Sequence, residues 1–421
     1  MGGVRKRMAR WSGILVATVA TGLLVSWVGP AMASGDVSNG QAPSTTWTRM
    51  IGGNLNDVAA TPGGRVYVVG STGFTGDHPN AALVRRYAPD GTRVWARAWH
   101  IDKGYAFAND VTVGPDEFVY VAGTVASTRS EGGGFLLLKY SPGGKLLWQR
   151  LTAGWLHSKS EGGSGVAVIG DAVVISGNSS GCCGDPYSDG WLRAYDTGDG
   201  HWLWTTQFEV PGIAGTNDAA NAVAAGPGGF YAAGWVARAE ERSDQSFVNH
   251  DAVVEKVTAS GVVDWTTVVA DGVRDHDAAV DVVGAADGIR VLAYVNERLT
   301  TDAFHRGHGW LRSYGADGDV MWTRSWGFTP AEEPGGMGLA TDGSVVIASE
   351  QRDPDDHLTN LAVRSYDDEG TLLWSKSLDP EKWSATGTGA AVVGRAAFVT
   401  ASLSNRDFTK ASGWLVKLGE V

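Results

Sequence analysis

Apolar positions downstream of residue 54 fall in short runs rich in Val, Leu, Tyr and Trp, and no stretch sustains a 3.6-residue period. The runs are cut by Pro-Gly-Gly, Pro-Asp, Asp-Gly and Gly-Gly, the residues of tight turns between strands. Residues 56–72 with 81–99, and 109–124 with 134–151, each read as four strands separated by two tight turns and one longer, variable stretch. Helices are not expected.

The units repeat. A glycine is followed four positions later by a tryptophan at Gly91/Trp95, Gly144/Trp148, Gly200/Trp204, Gly261/Trp265, Gly318/Trp322 and Gly370/Trp374. The Trp-to-Trp spacing meanwhile varies, as 53, 56, 61, 57 and 52 residues. A fixed short register within an elastic long one marks a repeated supersecondary unit joined by loops of free length. Third strands recur as ALVRRY, LLLKY, WLRAY, AVVEKV, WLRSY, LAVRSY and WLVKL, which makes seven against six Gly-x-x-x-Trp strands. The missing fourth strand is found at the other end, where Thr45–Arg49 holds Trp47, 48 residues before Trp95. The pattern therefore predicts an all-β, seven-bladed propeller of four-stranded antiparallel blades over 45–421, its last blade completed by the N-terminal strand. Closure hides the sheet edges that an open stack would leave exposed. Trp47, Trp95, Trp148, Trp204, Trp265, Trp322 and Trp374 are its expected structural tryptophans.

Composition fits: 59 Gly and 18 Trp with 19% charged residues suit a turn-rich all-β repeat, and the repeat overrides a two- or three-domain reading of 421 residues. Residues 1–33 read as a signal peptide. Arg5, Lys6, Arg7 and Arg10 precede an apolar stretch over 14–28, which is short for a bilayer span, and Ala31-Met32-Ala33 offers a small-x-small cleavage site. An uncleaved anchor is the rival reading. Residues 34–44 read as a disordered linker, and the chain is expected outside the cell as a monomer. Cleavage after Ala33 removes those four positive charges and takes the formal net charge from −12 to −16. So acidic a surface disfavours nucleic acid and anionic membranes as partners, and no stable membrane insertion is expected after cleavage.

Function is expected on one face of the ring. In a four-stranded meander the short first-to-second and third-to-fourth turns share a face, and the longer, varied connections share the other. Binding residues concentrate on loops held by a rigid scaffold. The second face gathers Trp99, His100, Trp155, His157, Cys182, Cys183, Tyr187, Arg238, Arg242, His250, Asp275, His276, His305, His308, Glu350, Arg352 and His357. Aromatic, cationic and carboxylate groups around a funnel suit a glycan, another polymer or a protein.

Three local features bear on chemistry. Cys182 and Cys183 are the only cysteines, and a bridge between adjacent residues is a strained, local closure that cannot staple the fold. The alternative is a reduced pair that binds metal or reacts. His305 and His308 lie three apart but have no third ligand nearby in sequence. Asp353, Asp355 and Asp356 with His357 carry the carboxylate density of a calcium loop yet lack an EF-hand's glycine and terminal glutamate. Calcium is the one cofactor left open; otherwise none is expected. No phosphate loop, Gly-x-Ser-x-Gly elbow or His-Glu-x-x-His is present.

Two repeat families resemble these units. Arg193–Trp204, with Asp196, Thr197-Gly198 and Gly200-x-x-x-Trp204, resembles the tryptophan-docking repeat of quinoprotein-type (PQQ-like) propellers. The strands around Asp110–Asp116 and Val119–Thr124 resemble the bacterial secreted seven-bladed propeller repeat. The resemblance implies the fold, with Trp rings docking between blades. Quinoprotein dehydrogenases also carry a disulfide between adjacent cysteines, which Cys182-Cys183 resembles. Their eight blades, calcium ligands and catalytic aspartate have no counterpart here, so PQQ is not expected. The sequence thus points to an exported, non-catalytic binding propeller that recognises an extracellular polymer or protein. An extracellular carbohydrate-active hydrolase or lyase is the alternative, and a quinone-dependent oxidoreductase the third reading.

Overall fold

Seven four-stranded antiparallel blades form a ring, and the described residues contain no helix. The computed structural model describes residues 24–25, 40–73, 80–102, 104–127, 133–152, 159–181, 188–210, 217–237, 250–269, 276–297, 306–327, 331–352, 358–405 and 410–419. Blade 1 is Asn54–Ala60, Val66–Ser71, Ala82–Tyr87 and Arg93–Trp99; blade 2 is Gly104–Val113, Val119–Ser127, Gly133–Tyr140 and Leu146–Leu151. Blade 3 is Lys159–Ile169, Ala172–Gly181, Ser188–Asp196 and Trp202–Phe208; blade 4 is Asp218–Gly226, Gly229–Ala237, His250–Val257 and Val263–Val269. Blade 5 is His276–Ala285, Gly288–Glu297, Arg306–Gly315 and Val320–Trp326; blade 6 is Glu332–Leu339, Val345–Arg352, Thr359–Tyr366 and Leu372–Leu378. Blade 7 is Trp383–Val393, Ala396–Asn405 and Ala411–Leu418, with Thr45–Gly52 as its outer strand.

That outer strand is the closure expected from the strand count. Thr45–Gly52 pairs antiparallel with Ala411–Leu418, setting Trp47 opposite Lys417 and Ile51 opposite Gly413. Only Gly53 (φ 97°) separates it from the first strand of blade 1, so one connection on the face of longer loops is very short. Leu24–Val25, inside the segment read as a signal peptide, pairs parallel with Thr267 and Val268 on the outer strand of blade 4.

The core lies between blades. Tyr67 and Val84 of blade 1 pack with Val111 and Leu138 of blade 2, and the same layering recurs around the ring. First strands contact one another around the whole circle, lining an axial channel.

The Gly-x-x-x-Trp motif works across blades. Trp47, Trp95, Trp148, Trp204, Trp265 and Trp322 each cover the turn glycine of the following blade, so a Cβ on Gly144 would lie 2.8 Å from the Trp95 ring and one on Gly261 2.6 Å from Trp204. The six turn glycines all sit at φ between 74° and 91°, a region that favours glycine. The indole N–H donates to a carbonyl of the same turn, as from Trp95 to Pro142 (3.0 Å) and from Trp322 to Asp368 (2.8 Å). Sequence reading missed a second member of this clamp, an arginine two residues after the Trp. Arg49, Arg97, Arg150 and Arg324 donate Nε to the carbonyls of Gly91, Gly144, Gly200 and Gly370 at 2.6–2.8 Å, each guanidinium lying over its own Trp ring. Trp374 differs. It faces the incoming N-terminal segment, its indole N–H has no partner among the described residues, and Lys376 instead donates to the Pro43 carbonyl at 2.7 Å.

Candidate functional site

The channel holds a cavity of about 670 Å³ that reaches from Asp57, Asp110 and Asp281 to Thr61, Pro62, Pro115 and Glu117. Those last residues belong to first-to-second turns, so this cavity opens on the face of tight turns and not on the face singled out from the sequence. The three aspartates come from the first strands of blades 1, 2 and 5.

Their placement follows from strand irregularity. Every first strand slips register against its neighbour near mid-length, at 55/57, 108/110, 163/166, 220/222, 279/281, 334/336 and 387/389. A bulge re-aims side chains and frees backbone groups. Here the re-aimed residues tie each inner edge to the next blade. Asp57 Oδ2 accepts the Val111 N–H (3.1 Å), Asp110 Oδ2 the Val166 N–H (2.6 Å) and Asp281 Oδ2 the Met337 N–H (2.7 Å). An asparagine just before the bulged residue donates to a carbonyl of the next blade from Asn56 to Ala108 and from Asn109 to Gly163, and, at a seam with no aspartate, from Asn221 to Ala279.

Seams lacking an aspartate or asparagine close by proximity. A Cβ on Gly165 would lie 2.8 Å from the Val223 amide nitrogen, and Cβ atoms on Gly335 and Gly336 would lie 1.9 and 2.6 Å from the carbonyl oxygens of Gly387 and Thr388. Only glycine permits such approach. The signal for the polar clasps was in the sequence as Asn56-Asp57-Val58 and Asn109-Asp110-Val111, which read there only as strand. Burial, then the adjacent Asp110, holds the Asp57 carboxyl well above the usual carboxylate range. Burial also raises Asp110, and carries Asp281 to about 7.

On the other face, the structure scatters the candidate residues it describes. Trp99 donates its indole N–H to Gln149 Oε1 of blade 2 at 2.8 Å, and His100 beside it is exposed. His250 stacks on Trp235, centroids 4.0 Å apart and planes at 23°. His250 and His276 meet through their backbones, in a parallel bridge from the third strand of blade 4 to the first of blade 5. His308 is buried in the third strand of blade 5. Glu350 Oε2 accepts the Thr386 hydroxyl of blade 7 at 2.6 Å; burial raises its pKa, and that hydrogen bond, with Arg352 exposed at its strand end, partly offsets this. Trp99, His250 and Glu350 thus engage different neighbours on different blades. Trp155, His157, Cys182, Cys183, Tyr187, Arg238, Arg242, Asp275, His305, Asp353, Asp355, Asp356 and His357 lie outside the described residues, and with them the adjacent-cysteine bridge and the calcium loop.

Among the described residues one group has metal-ligand spacing: Asp196, Asp199 and His201, with ligand atoms within 4.8 Å of one another. It sits on the exposed third-to-fourth turn of blade 3. Asp196 Oδ1 accepts the Gly198 N–H (2.8 Å) and Asp199 Oδ1 the His201 N–H (2.9 Å), and the latter bond leads the lowering of the Asp199 pKa. These are the bonds of a turn.

Neither a family model nor a curated protein sequence matches the chain. Solved structures do, at the level of fold. The chain is similar to the quinohemoprotein alcohol dehydrogenase of Comamonas testosteroni at 10% identity and a TM-score of 0.49, covering 92% of this chain and 79% of that one. It is also similar to the propeller domain of the Trilobed protease from Pyrococcus furiosus (12% identity, TM-score 0.46, covering 88% and 94%). A third is the Dos1 propeller (10% identity, TM-score 0.45, covering 90% and 96%). TM-scores below 0.5 at such identities say nothing of this chain's role, and its fold is read from its own seven blades. The class the coordinates define is the seven-bladed β-propeller.

Proposed function

We propose that the chain is an exported, non-catalytic binding propeller that takes an extracellular polymer or protein on the face of longer connections. The observation that carries this reading is the contrast between the two kinds of connection. Third-to-fourth turns are near-identical, at 88–92, 141–145, 197–201, 258–262 and 367–371, while second-to-third connections range from 128–132 to 238–249. A ring with uniform joints on one side and individual loops on the other is built as a platform for those loops. The described channel carboxylates support a non-catalytic reading, because each is engaged by a backbone N–H of the next blade.

The test is a glycan and polysaccharide array, followed by titration of any hit against Trp99→Ala/His100→Ala/Arg352→Ala. Binding without turnover, lost in the triple variant while its circular dichroism stays native, is the expected result. Undiminished binding by the triple variant would overturn the assignment of the face, and product formation would move the protein to the carbohydrate-active hydrolase or lyase reading.

A further inference from the structure

One pair of carboxyls on the channel wall has a geometry that the other seams do not share. Val111 offers a single N–H, and two carboxyl oxygens converge on it: Asp57 Oδ2 from blade 1 at 3.1 Å and Asp110 Oδ1 from its own strand at 2.6 Å. The other Asp110 oxygen is engaged by the Val166 N–H of blade 3 at 2.6 Å. Two oxygens on one N–H bring the two carboxyls within reach of each other. Two ionised carboxylates are acceptors only and repel, so a hydrogen bond between them requires a proton on one.

The surroundings offer no other remedy for a second negative charge. Among the described residues no Lys, Arg or His lines the cavity; Asp281 across the channel has the same sign, and Glu117 at the mouth is paired with Arg65.

We propose that Asp57 and Asp110 share one proton and act as a latch across the seam joining blades 1 and 2. With the proton in place the inner edges of blades 1, 2 and 3 are tied through Val111 and Val166. Without it, like charges drive the Asp57 carboxylate off Val111, and the seam between blades 1 and 2 loosens toward the channel. Burial and the adjacent carboxyl raise Asp57, so the latch is closed in acid and released as pH rises beyond the ordinary carboxylate range.

The ring contains its own comparison. Asp281 is a single carboxyl whose oxygens accept the Val282 and Met337 N–H groups, each at 2.7 Å. Ionising it leaves both bonds intact, since a carboxylate accepts an N–H at least as well as its acid does.

Hydrogen exchange on the full chain tests the latch, followed between pH 6 and 10 with intrinsic rates divided out. Protection at Val111 is expected to fall tenfold or more across this range while Val166, held by Asp110, and Met337 stay level. In Asp57→Asn the side-chain amide still donates to Asp110 and has no acidic proton to lose, so the fall should vanish. Constant protection at Val111, or an unchanged pH response in Asp57→Asn, would overturn the proposal. If that variant does not fold, the wild-type contrast decides: equal pH responses at Val111 and Met337 would overturn it too.

Discussion

Replacing Gly144 with alanine measures the inter-blade clamp directly. Gly144 sits at φ 81°, and a Cβ there would lie 2.8, 3.0 and 3.1 Å from three atoms of the Trp95 ring. Two costs combine. Left-handed backbone at a non-glycine residue costs about 1–2 kcal/mol, and forcing an extra carbon into a packed interface costs typically ~1–3 kcal/mol. Gly170 separates them, because it has φ 56° but no atom within 4 Å of a built Cβ. Gly170→Ala should therefore lose only the first amount, roughly 1–2 kcal/mol, and Gly144→Ala roughly 2–5 kcal/mol. Urea denaturation at matched m-values reads the difference, and a double-mutant cycle with Trp95→Ala assigns it to the ring. In the Trp95→Ala background the excess at Gly144 should disappear. Equal losses at Gly144 and Gly170, or an excess that survives removal of the indole, would refute the clamp.

Truncating Trp95 itself should cost ~3–5 kcal/mol, read in the same titration. Arg364→Ala strands Glu332, which is fully buried and held by Arg364 (2.9 Å) and the Trp326 indole (3.0 Å); a loss of about 3–5 kcal/mol in urea is expected. Glu255, buried on blade 4 with one oxygen on Thr266 and the other unpartnered, has its pKa raised to about 8 by burial. Because the folded value exceeds the unfolded one, its contribution is fully present in acid, is lost as pH rises toward about 8, and stays level above. The Tm advantage of Glu255→Gln over wild type should accordingly grow across that window in scanning calorimetry, and a flat difference would contradict it. Deleting residues 1–52 removes the outer strand of blade 7, exposes the Ala411–Leu418 edge and should abolish cooperative unfolding by circular dichroism.

The ring was legible because its signals are local. Gly91/Trp95 and its copies fix a turn and a strand within five residues, and counting third strands against Trp strands exposed the closure through Thr45–Gly52. The arginine half of the clamp sat in plain view as Trp47-Thr48-Arg49, Trp95-Ala96-Arg97 and Trp148-Gln149-Arg150, but its partner is a carbonyl some 42–50 residues away, which no short motif displays. The channel carboxylates were hidden for a different reason. Asp57 and Asp281 are ordinary strand residues until a bulge turns them inward, and alternation arguments assume an unbroken pleat. Loop composition directed attention to His250, His276 and Glu350, yet composition cannot say that the backbones of the first two pair while the third turns to Thr386.

Trp47 and Lys417 lie opposite each other in one sheet although 370 positions of chain separate them. At about 5–20 residues per second, ribosomes need roughly 20–70 seconds to make that intervening length. For all of that interval the earliest-made strand has no companion, and a stray edge from another nascent copy is its nearest substitute. Swapped dimers, in which two molecules trade these end segments, are the misassembly this architecture invites.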